Sequence, residues 1–134
     1  IKQVILREQK KYELEPEQID DYLRKLLHLM ETGKPYLDPN LTIGALARQV
    51  CLPYYQLSQI INKKLNKNFF DFINHYRIED ARKLLANPGE KRGTMLQIAY
   101  DVGFNSKSSF NKAFKKFTGM TPSEFKKKNK GDNR

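Results

Sequence analysis

Cysteine is nearly absent. Cys51 stands alone among 134 residues, so no intramolecular disulfide can form and no Cys/His spacing can build a zinc site. A reducing compartment fits that usage. Long apolar runs are missing too: none approaches the ~18 residues of a membrane span, and the N-terminus lacks the charged, apolar and small-residue order of a signal peptide. No glycine-rich loop suited to cradling phosphate occurs, and "NPGEKRG" is not one. The two histidines, His28 and His75, have no nucleophile, paired carboxylate or metal partner at a useful spacing, which makes them ordinary surface or boundary residues. Neither an enzyme nor a cofactor is expected. Acidic residues are also scarce, with 15 Asp and Glu against 25 Lys and Arg, so the net charge is +10. A polyanion is the partner such a charge suits, although a solvated basic face alone can produce the same count.

What is present is helical periodicity. "PEQIDDYLRKLLHLMET" sets Ile19, Tyr22, Leu23, Leu26, Leu27 and Met30 at three- and four-residue steps, with Pro16 for the first turn and Gly33 for the stop. After the loop "GKPYLDPN", Thr42 can cap "IGALARQV". From Pro53, "PYYQLSQIINKKL" brings Leu57, Ile60 and Ile61 to one side. "NKNFFDFINHYRIEDARKLLAN" predicts a long helix with Phe69, Phe72, Ile73, Tyr76, Ala81 and Leu84 inward, ended by Asn87-Pro88-Gly89. "NPGEKRG" reads as the internal linker. Two more helices lie in "IAYDVGFNSKSSFNKAFKKF", where Gly103 marks the break. "TPSEFKKK" closes with Thr121 as cap, Pro122 in the first turn and Glu124 three residues on. No stretch reads as a strand, so the expectation is all-α with about seven helices.

The helices repeat. Thr42, Leu46, Ala47 and Val50 recur as Thr94, Ile98, Ala99 and Val102 at an offset of 52. After one extra residue in the turn, Leu57, Ile61 and Phe72 recur as Phe110, Phe114 and Phe125 at 53. Each unit is a helix, a short turn and a second helix: a small alanine permits close approach, and the second helix keeps one face apolar and one polar. Phe110, Ala113, Phe114 and Phe117 are expected inward. Each unit ends in a lysine pair, Lys63-Lys64 and Lys115-Lys116, able to meet phosphate.

These residues resemble the DNA-binding domain of the AraC/XylS family of bacterial transcription regulators, from about Leu41 to Phe125. The likeness rests on "LTIGALARQV", "YYQLSQIINKKL", "FFDFINHYRIEDARKLL" and above all "IAYDVGFNSKSSFNKAFKKFTGMTPSEF". It implies two homeodomain-like helix-turn-helix subdomains joined by a long central helix, with both recognition helices entering successive major grooves. The first subdomain departs from the family's pattern: Cys51 stands where the family often has Gly, and Pro53 with two tyrosines opens the recognition helix.

Carried over by position, the base-contact candidates are Tyr54, Tyr55, Ser58 and Gln59 in the first unit, and Lys107, Ser108, Asn111 and Lys112 in the second. Gln59 suits adenine and Lys112 guanine, whereas Tyr55 suits either a thymine methyl or plain packing. Asn62, Lys63, Lys64, Lys115 and Lys116 are phosphate candidates. Arg77 is another, with an ion pair to Glu79 or Asp80 as its alternative.

The expected partner is double-stranded DNA, with RNA polymerase as a further partner and no small-molecule ligand in this segment. The alternative is a non-specific basic helical module that binds nucleic acid or an acidic protein surface. Residues 1–40 read as a linker and amphipathic helix leading from an upstream sensory or membrane module, the chain being a piece of a longer protein. The domain itself is expected over 41–126, with helix-turn-helix units near 42–65 and 94–118 and a connecting helix near 68–86. A basic disordered tail is expected over 127–134. The expected compartment is the bacterial cytoplasm, the parent protein being cytoplasmic or membrane-tethered.

Overall fold

The computed structural model describes residues 13–87 and 93–132. The connector expected over 1–12 and the middle of the "NPGEKRG" linker lie outside them. Seven α-helices and no strand occur among the described residues: α1 Pro16–Thr32, α2 Ile43–Gln49, α3 Tyr54–Leu65, α4 Phe69–Ala86, α5 Met95–Asp101, α6 Lys107–Thr118 and α7 Pro122–Asp132. None is long and apolar enough to cross a membrane. A short 3-10 turn, Pro35–Leu37, interrupts what the sequence suggested was plain loop.

The repeat holds in three dimensions, residue by residue. Helices α2 and α5 have seven residues each, and α3 and α6 have twelve. Thr42 Oγ1 accepts the Ala45 N–H at 3.1 Å, and Thr94 Oγ1 accepts the Gln97 N–H at 3.2 Å, so both first helices start on the same cap. Each then turns on one residue with positive φ, Cys51 (+60°) or Gly103 (+107°). The next residue closes the turn: Leu52 N–H donates to Ala47 O and Phe104 N–H to Ala99 O, both at 2.9 Å. The inserted residue is Asn105, which leaves room for Ser106 to cap α6 through the Ser109 N–H at 3.1 Å. Its counterpart, Pro53, has no side-chain acceptor to offer. Left-handed residues, Asn66 and Gly119, end the two recognition helices.

Two cores form, one per unit. Leu26, Met30, Tyr36, Leu46, Leu57, Ile61, Phe72 and Ile73 belong to the first. Ile78, Ala81, Leu85, Ile98, Phe104, Phe110 and Phe114 belong to the second. Helix α4 serves both, and it does so from different sides. At ~100° per residue, Phe72 and Ile73 lie roughly 160° around the axis from the mean of Ile78, Ala81 and Leu85. The six residues expected inward therefore divide between the cores, Phe69, Phe72, Ile73 and Tyr76 on the first and Ala81 and Leu84 on the second, and the structure adds Ile78 and Leu85 as buried positions that the sequence reading did not name.

Helix α7 continues to Asp132, over all but the last two residues of the stretch expected as a disordered tail, 127–134; residues 133–134 lie outside the described residues. Thr121 caps its start by accepting the Glu124 N–H at 3.1 Å. Phe125 anchors it against Phe114, with ring centroids 5.4 Å apart. The lysines that follow are good helix formers, so an anchored start propagates through a stretch with no apolar stripe of its own.

Candidate nucleic-acid interface

The polar faces of α3 and α6 carry equivalent positions. Tyr54, Tyr55, Ser58 and Gln59 correspond to Lys107, Ser108, Asn111 and Lys112 at one constant offset, and Asn62 and Lys63 correspond to Lys115 and Lys116. Burial of Leu57, Ile60 and Ile61 in one unit, and of Phe110, Ala113 and Phe114 in the other, turns these positions outward. Tyr54 is 62% exposed and meets half-buried Tyr55 edge to face at 6.0 Å. Gln59, Lys107, Ser108 and Lys112 are exposed, whereas Ser58 and Asn111 are half-buried at the edges of the two faces.

Of the phosphate candidates, Asn62, Lys63, Lys64 and Lys115 are exposed at the C-terminal ends of the recognition helices. Lys116 is exposed but engaged: its Nζ donates to Asp71 Oδ1 on α4 at 2.8 Å. Arg77 is placed quite differently from the lysines. It is half-buried, and its Nε donates to Tyr36 O at 2.7 Å, its Nη2 to Asp38 O at 3.0 Å and its Nη1 to Asn74 Oδ1 at 3.3 Å. Burial lowers its pKa from the usual arginine value, an effect that Asp38 opposes. The acids expected beside it have other partners: Asp80 accepts from the Tyr36 hydroxyl at 2.6 Å, and Glu79 pairs with Arg82 at 3.0 Å. Burial and the Asp80 bond together push the Tyr36 hydroxyl pKa well above its ordinary value.

Between α4 and α6 runs a cleft that the sequence did not suggest. Phe70, Asn74 and Arg77 line one side and Asn105, Ser109, Lys112 and Lys116 the other. Phe70 is 72% exposed, an unusual position for a phenylalanine. The i, i+4, i+7 spacing of Phe70, Asn74 and Arg77 puts them on one face of α4, and that spacing could have signalled the cleft. No group of His, Cys, Asp and Glu among the described residues could hold a metal ion.

A helix-turn-helix domain model matches residues 46–128, which is more than half of the chain and includes both recognition helices. The arabinose operon regulatory protein of Escherichia coli is 33% identical over 89 residues, 66% of this chain and 30% of that protein. The chain belongs to the AraC/XylS family. YdeC of Bacillus subtilis, described as an HTH-type transcriptional regulator, is 32% identical over 103 residues, 77% of this chain and 32% of its own length. The chain thus spans about a third of the length of each of these two relatives. Among solved structures, the C-terminal domain of the response regulator yesN from Fusobacterium nucleatum superposes with a TM-score of 0.67 at 26% identity, covering 79% of this chain and 98% of that one. The DNA-binding domain of AdpA, solved with a target DNA, gives 0.65 at 14% identity, covering 85% and 94%, and so shares the fold. These relatives are regulators, not enzymes, and the AraC/XylS domain is a DNA-binding one.

Proposed function

We propose that this chain regulates transcription by binding one asymmetric duplex site, with α3 and α6 in adjacent major grooves. The observation that supports this most directly is the constant register between the recognition faces, which offers Tyr54, Tyr55, Ser58 and Gln59 in one unit and Lys107, Ser108, Asn111 and Lys112 in the other. Equivalent positions with different side chains suit two different blocks of bases. Helix α4 has 18 residues, ~27 Å at 1.5 Å per residue. With the offsets at its ends, that is comparable to the ~34 Å between successive major grooves on one face of B-DNA. Exposed lysines at the ends of α3 and α6 supply phosphate attraction without reading sequence.

Selection from random duplexes followed by footprinting should give a site of about 20 base pairs with two determinant blocks about 10 to 11 pairs apart. Inserting five pairs between the blocks should abolish specific binding by rotating one block to the far side. A palindrome that requires two chains, or indifference to the insertion, would overturn this reading.

A further inference from the structure

Three segments far apart in sequence meet at one point. The Lys34–Asn40 strap, between α1 and α2, brings Tyr36 into the first core, where its ring stacks on Tyr76 at 5.4 Å. Helix α4 contributes Arg77, whose guanidinium donates to both Tyr36 O and Asp38 O. The turn of the second unit contributes Phe104, a member of the second core, whose ring lies 5.5 Å under the guanidinium carbon. Gly103 completes the junction. A Cβ built on it would stand 2.3 Å from Tyr36 O, 2.8 Å from Arg77 Nε and 3.2 Å from Leu37 Cα, so the turn touches the strap only because this residue has no side chain.

Geometry at this point bears on α6 in a specific way. Two further ties to α4, Asp71 to Lys116 and His75 to Phe117, grip α6 in its last turns. The strap and Arg77 instead hold the turn that leads into its first residues, the end at which a recognition helix reads bases. A planar fork is needed there, because one side chain must reach two carbonyls and also lie on a ring. Lysine could keep the charge but not that arrangement.

We propose that the Lys34–Asn40 strap, clamped by Arg77, sets the pose of the second recognition helix relative to the first, so that Tyr36 and Arg77 are positioning residues for two-groove binding. The strap follows directly from α1, so through Arg77 it ties the end of that helix to the turn that leads into α6. The consequence for DNA rests on the two-groove reading above, whereas the pose itself does not.

The test separates the two. Spin labels on exposed Cys51 and on Asn105→Cys report the separation of the two turns in the free chain. Arg77→Gln should broaden that distance distribution, and Arg77→Lys, which keeps the charge and the aliphatic stem, should do so too; Tyr36→Phe, which loses one hydroxyl, should have a smaller effect. In unlabelled protein, Arg77→Lys should weaken binding to the two-block duplex by about tenfold or more, since linked sites gain about 10² to 10⁴ only when both engage at once. Binding to a duplex with a single block should change less than about twofold, which simple destabilisation would not produce. A distribution that stays narrow in folded Arg77→Lys overturns the proposal. A broadened distribution with unchanged preference for the two-block duplex would leave the pose assigned to the strap and overturn the two-groove reading instead.

Discussion

Lys116 and Asp71 form an ion pair at 2.8 Å that joins the last turn of α6 to the first turn of α4. Asp71 is well placed there, because an acid near a helix N-terminus is favoured by the helix dipole, by about 0.3 to 1 kcal/mol. Lys116 is 61% exposed at its side chain, so the pair is screened by water and contributes at most ~1 kcal/mol. On the binding mode proposed above, the same pair acts against attraction, since Asp71 neutralises a lysine placed to meet phosphate.

Asp71→Asn should therefore tighten binding to all duplexes alike and make the salt dependence steeper by about one phosphate contact. Stability should fall by no more than about 2 kcal/mol. Titrations of wild type and variant across a salt series measure both effects on binding. An unchanged slope would mean that Lys116 stays away from the backbone.

Lys112→Ala and Gln59→Ala should each alter base preference at one or two positions, at a cost of about 1 to 3 kcal/mol. Lys115→Ala, at the C-terminal end of the same exposed face as Lys112, should weaken every sequence by a similar factor. Binding profiles over a library of single-base variants distinguish the two patterns. Uniform losses for all three would mean that the recognition faces are wrongly assigned.

The halves of the fold were not equally legible in the sequence. Thr42 and Thr94, Ala47 and Ala99, and Val50 and Val102 carry caps and small core residues that leave a periodic mark, and these gave the repeat and its offset. The two-sided character of α4 leaves no such mark, because apolar residues facing two cores blur into one wide distribution. From the sequence, Arg77 is a candidate partner for phosphate or for nearby acids. Its actual acceptors are the carbonyls of Tyr36 and Asp38, and every residue type has a carbonyl. The Asp71–Lys116 pair was hidden by its separation of 45 residues. Helix α7 was missed beyond 126 because "KKKNKGD" has no apolar period to read.

His75 makes part of the stability depend on pH. Its ring lies against Tyr76 and Phe117, and its pKa is lowered first by burial and then by Lys67, with Arg82 adding to the shift and Glu79 opposing it. The unfolded chain, with an ordinary value near 6.5, therefore takes up a proton before the native state does. Stability attributable to this group is complete above about pH 6.5 and is lost as pH falls from there to the depressed native value. Carboxylates change stability on their own account at lower pH, so the difference between wild type and His75→Gln isolates the effect. Urea midpoints from pH 7.5 to 4.5 should fall more steeply for wild type. Parallel curves would show that the imidazole is free to protonate in place.

Cys51 and Gly103 occupy the same place in the two turns, and the constraints on them predict opposite responses to exchange. At Cys51, a residue with a Cβ is held at φ +60°, which costs about 1 to 2 kcal/mol relative to glycine. Its side chain is exposed, so Cys51→Gly loses little packing. Against the relief stands the greater entropy of the unfolded glycine, about 0.5 to 1 kcal/mol, which leaves a net gain of up to about 1.5 kcal/mol. At Gly103, alanine meets two penalties: φ +107° lies beyond the left-handed well, and its Cβ would stand 2.3 Å from Tyr36 O. Backbone cannot move aside as a flexible side chain can, so Gly103→Ala should cost more than about 2 kcal/mol. Gly119 separates the two penalties. It is held at φ +79°, nothing lies within 4 Å of where its Cβ would be, and its counterpart in the first unit is Asn66 at +54°. Gly119→Asn should therefore cost less than about 1 kcal/mol, asparagine being tolerant of the left-handed region. Urea denaturation of the three variants gives the order Cys51→Gly, Gly119→Asn, Gly103→Ala from most to least stable. If Gly103→Ala and Gly119→Asn fell together, strain alone would set the cost and the strap would not press on the second turn.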